Sequence, residues 1–216
     1  MKKYYRFTLI ELLVVIGIIV LLAGLLLPAI IGAQQKGRIT QAKADISAIQ
    51  TALKGVENTY QMMIKRSGSN YSFNGTSVSP SNDTVRMGGD SYAVNAYDAF
   101  IAELSDPQNG GFGNNVSNLN INIRRIKFLD PKPKYDPSIN YNATANQPYL
   151  WLDPWGNRYV LLLSADLTGQ VETPSGRTLA GMSHIYSFGP NGADNNGLNV
   201  LTGSSNKQDD DITSWD

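Results

Sequence analysis

The stretch 7–33, FTLIELLVVIGIIVLLAGLLLPAIIGA, limits most strongly what this chain can fold into. Glu11 is its only charge, and a helix of this length, at about 1.5 Å rise per residue, spans a hydrocarbon core of about 30 Å. The leader 1–6, MKKYYR, is basic and has no acidic residue. The positive-inside tendency therefore places the leader in the cytoplasm, and we expect a single-pass membrane protein with an extracytoplasmic head.

Two simpler interpretations of this stretch compete. A secretory signal peptide also begins with basic residues, but its apolar core is only about 7 to 15 residues long. A plain membrane anchor accounts for the length and leaves Glu11 unexplained, because a carboxylate in lipid costs several kcal/mol unless it finds a partner. The segment contains no cation. We therefore expect the partner of Glu11 in another molecule, for which the N-terminal amine of a neighbouring subunit is suitable.

The motif FTLIELLVVIGII resembles the class III signal of type IV pilins and pseudopilins. Phe7 matches the residue that becomes the mature N-terminus, Glu11 matches the family's glutamate at the fifth mature position, and Pro28 matches a helix-loosening proline. The resemblance implies that a prepilin peptidase removes 1–6 and methylates Phe7. It also implies that Glu11 assists the docking of one subunit onto the next.

One residue of the motif departs from the family. The peptidase normally cuts after glycine, and this chain has Arg6 at that position. Two outcomes stay open: the cognate peptidase accepts Arg6, or the protein keeps its leader and stays bound to the membrane.

The segment 34–66 predicts an amphipathic helix that continues the membrane helix as the spine of the head. Its apolar residues recur at alternating spacings of three and four, which is one stripe of a helix. A coiled coil is the competing interpretation, but the stripe is short, so packing against a sheet is favoured. The stripe consists of Ile46, Ile49, Leu53, Val56, Tyr60 and Met63.

The segment 67–150 is rich in Asn, Ser, Gly and Asp. Turn-forming runs at 68–83 and 107–120 predict surface loops. AVNAYDAFIAEL has apolar residues at helical spacing and predicts a short helix, while INIRRIKFLD fits either a strand or a helical turn. The pilin resemblance implies that this region is the variable cover of the subunit face.

The segment 151–216 predicts a small antiparallel sheet. Turn residues at 153–157, DPWGN, precede a β-prone apolar run at 159–163, and a second strand is expected at 184–188. DPWGN resembles the segment that opens the sheet in the major pseudopilin of the type II secretion system. Trp151 and Trp155 are expected to pack in the core or at its edge.

The C-terminal runs SFGPNGADNNG and DDDITSWD continue this resemblance, which implies a calcium-binding loop. Calcium takes about six to eight oxygen ligands, and these runs are rich in carboxylates and carbonyls. Asn191 stands where the family has an aspartate, which should weaken the binding of the ion unless Asp194 compensates for the missing charge. A solvated acidic tail is the alternative. The implied ligands are Phe188, through its carbonyl, and Asn191, Asp194, Asp209, Asp210 and Asp211.

Composition excludes several functions. The 18 basic and 18 acidic residues cancel, and the chain has no cysteine. A purely electrostatic nucleic-acid binder is therefore disfavoured, and disulfides and thiol chemistry are excluded. His184 is the only histidine and has no nucleophile motif beside it, so we expect no enzyme.

The sequence therefore predicts an α+β, type IV pilin-like fold, in which a long N-terminal helix packs on a small antiparallel C-terminal sheet. The resemblance implies a structural subunit of a type II secretion pseudopilus in the bacterial inner membrane, with its head in the periplasm. Its partners would be copies of itself, other pseudopilins, the prepilin peptidase and the inner-membrane assembly platform. The alternatives are a type IV or competence pilus subunit and a monomeric membrane-anchored binding module.

Overall fold

The computed structural model has an α+β layout, with one long N-terminal helix and a small antiparallel sheet. It describes residues 8–61, 66–67, 70–73, 76–78, 84–89, 94–105, 122, 124–130, 151–164, 169–199, 206 and 209–215. The elements are α1 (Leu9–Tyr60), β1 (Arg66–Ser67), β2 (Asn70–Phe73), β3 (Thr76–Val78), β4 (Thr84–Gly88), α2 (Val94–Ser105), β5 (Val160–Ser164), β6 (Gln170–Glu172), β7 (Thr178–Ala180), β8 (Ser183–Ser187) and β9 (Ile212–Thr213). The chain divides into two compact units between Arg38 and Ile39.

In the first unit, α1 exposes apolar side chains from Leu9 to Ile31. Every large hydrophobic residue from Leu9 to Ile31 is exposed, and the helix is long and apolar enough to cross a membrane. Among the described residues, α1 is the one helix with this length and composition, which is consistent with the predicted single-pass anchor. The helix runs through Pro28 without ending, although proline has no amide hydrogen for the carbonyl of Gly24.

In the second unit, α1 has one buried stripe. Ile46, Ile49, Leu53 and Val56 lie on it as the spacing predicts, and Ala42 and Ala52 complete it. The spine ends earlier than the expected boundary at residue 66. Gln61 adopts a left-handed φ of 56° and donates its amide hydrogen to Glu57 O at 2.8 Å, which is a helix C-terminal cap. Arg66 lies in β1 instead, and Met63 lies outside the described residues.

The main sheet is antiparallel, with strand order β4-β5-β8-β9. Leu161 on β5 lies opposite Met87 on β4 and Ile185 on β8, so these side chains share one face with the α1 stripe in a single core. Val160 and Leu162 point to the other face. There they pack with Val171, Leu179, Tyr186 and Phe188, which explains why β5 is apolar throughout.

The strands expected at 159–163 and 184–188 are confirmed as β5 and β8, and the short helix is confirmed as α2. The expectation of loops over 68–83 is wrong for the residues described there, since β1, β2 and β3 form an antiparallel sheet. Asn74-Gly75 between β-prone residues was the overlooked signal, because Asn-Gly favours a two-residue hairpin. Residues 124–130 form neither strand nor helix, and the run 107–120 lies outside the described residues.

A buried ion pair fixes α2 to the start of β5. Arg158 Nε and Nη2 donate to Asp98 Oδ1 and Oδ2, each at 2.8 Å, and both side chains are only 3% exposed. Next to it, the Tyr97 hydroxyl donates to Trp151 O at 2.7 Å. The 151–158 segment is therefore tied to α2 by polar bonds as well as by apolar packing. Trp151 is buried in the core and Trp155 packs against it, as expected.

Replacing Asp98 by alanine should destabilise the head strongly, because Arg158 would stay buried without its carboxylate. Breaking a buried pair in this way costs about 3 to 5 kcal/mol. Denaturation of the full chain in detergent micelles, followed by tryptophan fluorescence, measures the loss.

Asp130→Ala is the matched control, since Asp130 pairs with Lys127 at 2.7 Å on the surface. A surface pair contributes about 1 kcal/mol or less. Equal losses in the two variants would contradict the importance of the buried pair.

Candidate functional site

The first candidate site lies at the N-terminus of α1. Glu11 Oε2 accepts hydrogen bonds from Thr8 N at 2.8 Å and Thr8 Oγ1 at 2.7 Å. Glu11 N donates in return to Thr8 Oγ1 at 3.3 Å. This reciprocal pair is a capping box, which satisfies amide groups that the first turn of a helix leaves without partners. Arg6 and Phe7 lie outside the described residues.

Glu11 therefore has a local partner, which was not predicted from the sequence. The pattern Thr8-x-x-Glu11 before an apolar run is itself the signature of a capping box, in which the partners of the carboxylate are uncharged. The two bonds do not neutralise the carboxylate, since both donors are uncharged. The role of Glu11 in assembly stays a prediction.

The second candidate site is the C-terminal loop 189–199, which residues 209–213 hold in place. Asp211 N donates to Leu198 O at 3.1 Å, and Asn199 forms a β-bridge with Asp210. Strand β9 then pairs with β8, with Ser187 opposite Ile212. The acidic run expected to supply calcium ligands is thus fixed against the loop expected to share the ion.

Asp211 is the central carboxylate of this loop and has no exposed surface. Its Oδ2 accepts hydrogen bonds from Gly197 N at 2.7 Å and Asn195 N at 3.1 Å. Burial raises the pKa of Asp211 to about 8, and the charges of Asp194 and Asp210 also act to raise it. The ionised form of Asp211 is therefore unfavourable in this loop unless a positively charged group lies close to it.

The neighbouring carboxylates bind different parts of the loop. Asp194 Oδ1 accepts the Tyr186 hydroxyl at 3.0 Å and Asn196 N at 2.9 Å. Asp210 Oδ2 accepts Asn191 N at 3.1 Å. These bonds show how aspartates far apart in the sequence close one loop.

The side-chain amide of Asn195 lies between the carboxylate of Asp211 and the carbonyl of Ala193. One atom of its amide group lies 3.3 Å from Asp211 Oδ1 and 3.1 Å from Ala193 O. If this atom is nitrogen, it donates to both oxygens and the loop is complete. If it is oxygen, it accepts a hydrogen bond from Asn191 Nδ2 at 3.0 Å.

The expected calcium ligands are brought together only in part. Asn191, Asp194, Asp210 and Asp211 all contact the same loop. Asp209 Oδ1 instead accepts Asn206 Nδ2 at 2.9 Å. Within the described part of the chain, no three acidic or histidine side chains form a group suited to a metal. The donor set therefore fits a cation only if amide and carbonyl oxygens supply most of the ligands.

Asp153 of the DPWGN turn is a further residue of this region. Its Oδ1 accepts Trp155 N and Asn157 N at 3.0 and 2.8 Å, which closes the turn. Its Oδ2 accepts the Ser187 hydroxyl at 2.7 Å, and Ser187 Oγ accepts Gly189 N at 3.1 Å. The DPWGN turn and the C-terminal loop are thus joined by one buried chain of hydrogen bonds.

No family model matches this chain, and neither the curated proteins nor the solved structures contain a significant match.

Gly189→Ala should open the C-terminal loop. Gly189 has a left-handed φ of 68°, and a Cβ there would collide with the backbone carbonyl of Asp210. The left-handed backbone alone costs about 1 to 2 kcal/mol for a residue with a Cβ. The collision should add about 1 to 3 kcal/mol, as overpacking does.

Gly176→Ala separates the two effects. Gly176 also has a positive φ, of 85°, but a Cβ there meets nothing within 4 Å. In denaturation of the full chain in detergent, Gly176→Ala should show the backbone cost alone. Equal losses at the two positions would contradict the close approach of Gly189 to Asp210.

Proposed function

We propose that this chain is a type IV pilin-like subunit that is anchored by α1 and polymerises through it into a filament. One observation carries the proposal: α1 exposes an apolar surface from Leu9 to Ile31, with a single carboxylate, Glu11, at its start. Lipid alone requires the apolar surface but not the carboxylate. A neighbouring copy that brings a positive N-terminus to Glu11 accounts for both.

The proposed filament is a type II secretion pseudopilus, which supports protein export across the outer membrane. The resemblance of DPWGN and of the acidic C-terminus to the major pseudopilin supports this choice. In this proposal, the head lies in the periplasm, and the partners are other copies, other pseudopilins, the prepilin peptidase and the inner-membrane assembly platform. The role is structural and not enzymatic.

A monomeric membrane-anchored module is the second candidate. The capping box is sufficient to account for Glu11 in such a module, because Thr8 gives Glu11 partners within its own chain. Arg6 in place of glycine favours the module, since it departs from the family's cleavage pattern. The two candidates differ in whether the charge of Glu11 is needed or only its hydrogen bonds.

Two substitutions separate these roles of Glu11. Glu11→Gln keeps a carbonyl oxygen that accepts from Thr8 but removes the charge, and should abolish filaments. Loss of one partner from a desolvated charge pair costs about 3 to 5 kcal/mol, or roughly a hundredfold or more in filament yield. Thr8→Val weakens the cap and keeps the charge, so it should still assemble. Filaments are sheared from cells that contain the assembly machinery and quantified by immunoblot.

The wild-type protein from the same cells is used to test whether the leader 1–6 is removed. Mass spectrometry of the N-terminus should find it at Phe7 and methylated. Retention of 1–6 in all of the protein, together with equal filament yields from the two variants, would overturn the filament proposal and leave the anchored module.

We also propose that the loop 189–199 binds calcium together with residues 209–211. Asn195, Asp211 and the carbonyl of Ala193 would hold the ion, with Asp194 and Asp210 adding negative charge. The ion would supply the positive charge that the buried Asp211 carboxylate lacks. In a chain without cysteine, it would also act in place of a disulfide in fixing the C-terminus.

Calcium should raise the melting temperature of the full chain relative to a chelator. At about 100 times its Kd, a ligand stabilises the folded state by about 2.7 kcal/mol. Asn191→Asp should increase the effect by adding a carboxylate, and Asp211→Asn should remove it; magnesium is the control ion. Identical melting curves in calcium and chelator would contradict the calcium proposal and leave the filament proposal untouched.

A further inference from the structure

His184 lies where three parts of the head meet. It is on β8 and 9% exposed, with its Nε2 2.9 Å from Ala180 O at the end of β7. Its Nδ1 lies 3.3 Å from Ser214 Oγ, directly after β9. The ring of Trp215 packs edge-on against it, with centroids 5.8 Å apart.

The partners of His184 define its protonation state. Ala180 O can only accept, so Nε2 must carry a hydrogen. Ser214 Oγ already accepts Ile185 N at 3.0 Å, which leaves its own hydrogen free to be donated to Nδ1. The neutral ring with hydrogen on Nε2 therefore satisfies every group, in the order Ile185 N–H to Ser214, Ser214 O–H to His184, and His184 to Ala180.

Protonation disrupts this order. A charged ring carries hydrogen on both nitrogens, so the bond at Nδ1 must reverse. Nδ1 would then donate to Ser214 Oγ, and the serine hydrogen would lose the acceptor that it has on the neutral ring. The added charge also lies in a buried place. The positive charge of Lys54 on α1 further disfavours a charged ring.

The bonds at Ser214 hold the end of the chain on the sheet. Strand β9 is only two residues long, and its pairing with β8 is extended by Ser214 N donating to Ile185 O at 2.9 Å. Trp215 packs against Tyr186 as well as His184. Loss of the Ser214 anchor would therefore loosen the pairing of β9 with the edge of β8, while residues 209–211 keep their own bonds to the loop 189–199.

We propose that His184 and Ser214 form a pH-sensitive latch, which holds the C-terminal segment 212–215 on the sheet when His184 is neutral and releases it in acid. Release exposes the backbone hydrogen-bonding groups of β8, to which a strand of another chain can pair. The latch is independent of whether the chain forms filaments.

The direction of the effect follows from the environment of His184. Burial lowers its pKa below the ordinary value, Lys54 lowers it further, and the bond to Ala180 opposes both. The folded state thus binds a proton less readily than the unfolded chain, whose histidine pKa is about 6.5. Stability from the latch is complete above that pH and is lost as the pH falls through the lower folded value.

The single histidine of the chain makes the latch directly measurable. The imidazole NMR signals of the full chain in detergent micelles give the titration of His184 without assignment. Hydrogen exchange with mass spectrometry, corrected for the intrinsic pH dependence of exchange, follows peptides covering 209–215 and, as a reference, β4 and β5. We expect the His184 midpoint below 6.5, and exchange of the C-terminal peptide about fivefold faster below that midpoint, the size of one lost hydrogen bond.

Two variants test whether His184 and Ser214 cause the faster exchange of the C-terminal peptide in acid. The amide of His184→Gln can donate and accept without titrating, so its C-terminal peptide should exchange equally at both pH values. Ser214→Ala removes the anchor, so its C-terminal peptide should exchange faster at every pH while the reference peptides stay protected. Equal C-terminal protection of the wild type on both sides of the His184 midpoint would overturn the latch. Acid opening that persists in a folded His184→Gln variant would overturn it too.

Discussion

The packing of the α1 stripe on one face of the main sheet is the interaction on which the head depends. Ile46, Ile49 and Leu53 meet Leu161 and Ile185 in a single core. Burying one such side chain fully contributes about 1.5 to 3 kcal/mol, so this face supplies much of the stability of a small domain. The opposite face needs a cover of its own, which the hairpin β6–β7 and Trp215 provide. The sheet is therefore buried on both sides, although it has only four strands.

The hydrogen bonds of buried polar groups fix the loops to this core. Asp98, Asp153 and Asp211 are each buried, and each joins segments that are separate in the sequence. Such groups are costly to bury and are stable only when their hydrogen bonds are complete. Asp98 meets a guanidinium and Asp153 meets a hydroxyl and two amides, whereas Asp211 has only amide donors among its described bonds. Of these three buried carboxylates, Asp211 is therefore the one that a nearby cation or a bound proton would stabilise most.

Periodicity predicted the elements that are long or strongly apolar. The membrane helix, the stripe through Val56, α2 and the run that became β5 follow from residue spacing alone. The short strands β1 to β4, β6, β7 and β9 were not predicted, because a mixed run of two to five residues gives too little period to recognise. The candidate site was predicted by residue type and not by contact: the aspartates lie in the expected region, but Asp209 contacts Asn206, and Asn195 was not foreseen. Pairs such as Arg158 and Asp98, which are 60 residues apart, depend on the tertiary fold and leave no local signal.

The capping box at Glu11 changes how an assembly role for this residue should be understood. In water, a capping carboxylate is stabilised by solvent as well as by its amide donors. In lipid the solvent is absent, so the two bonds from Thr8 become more important to the helix while the charge becomes harder to bury. The cap orients the carboxylate at the first turn, where the partial positive charge of the helix N-terminus also favours it. A carboxylate that is already oriented loses less conformational entropy when a positive group of a neighbour arrives. Local capping and pairing between subunits are therefore compatible, and the first makes the second easier.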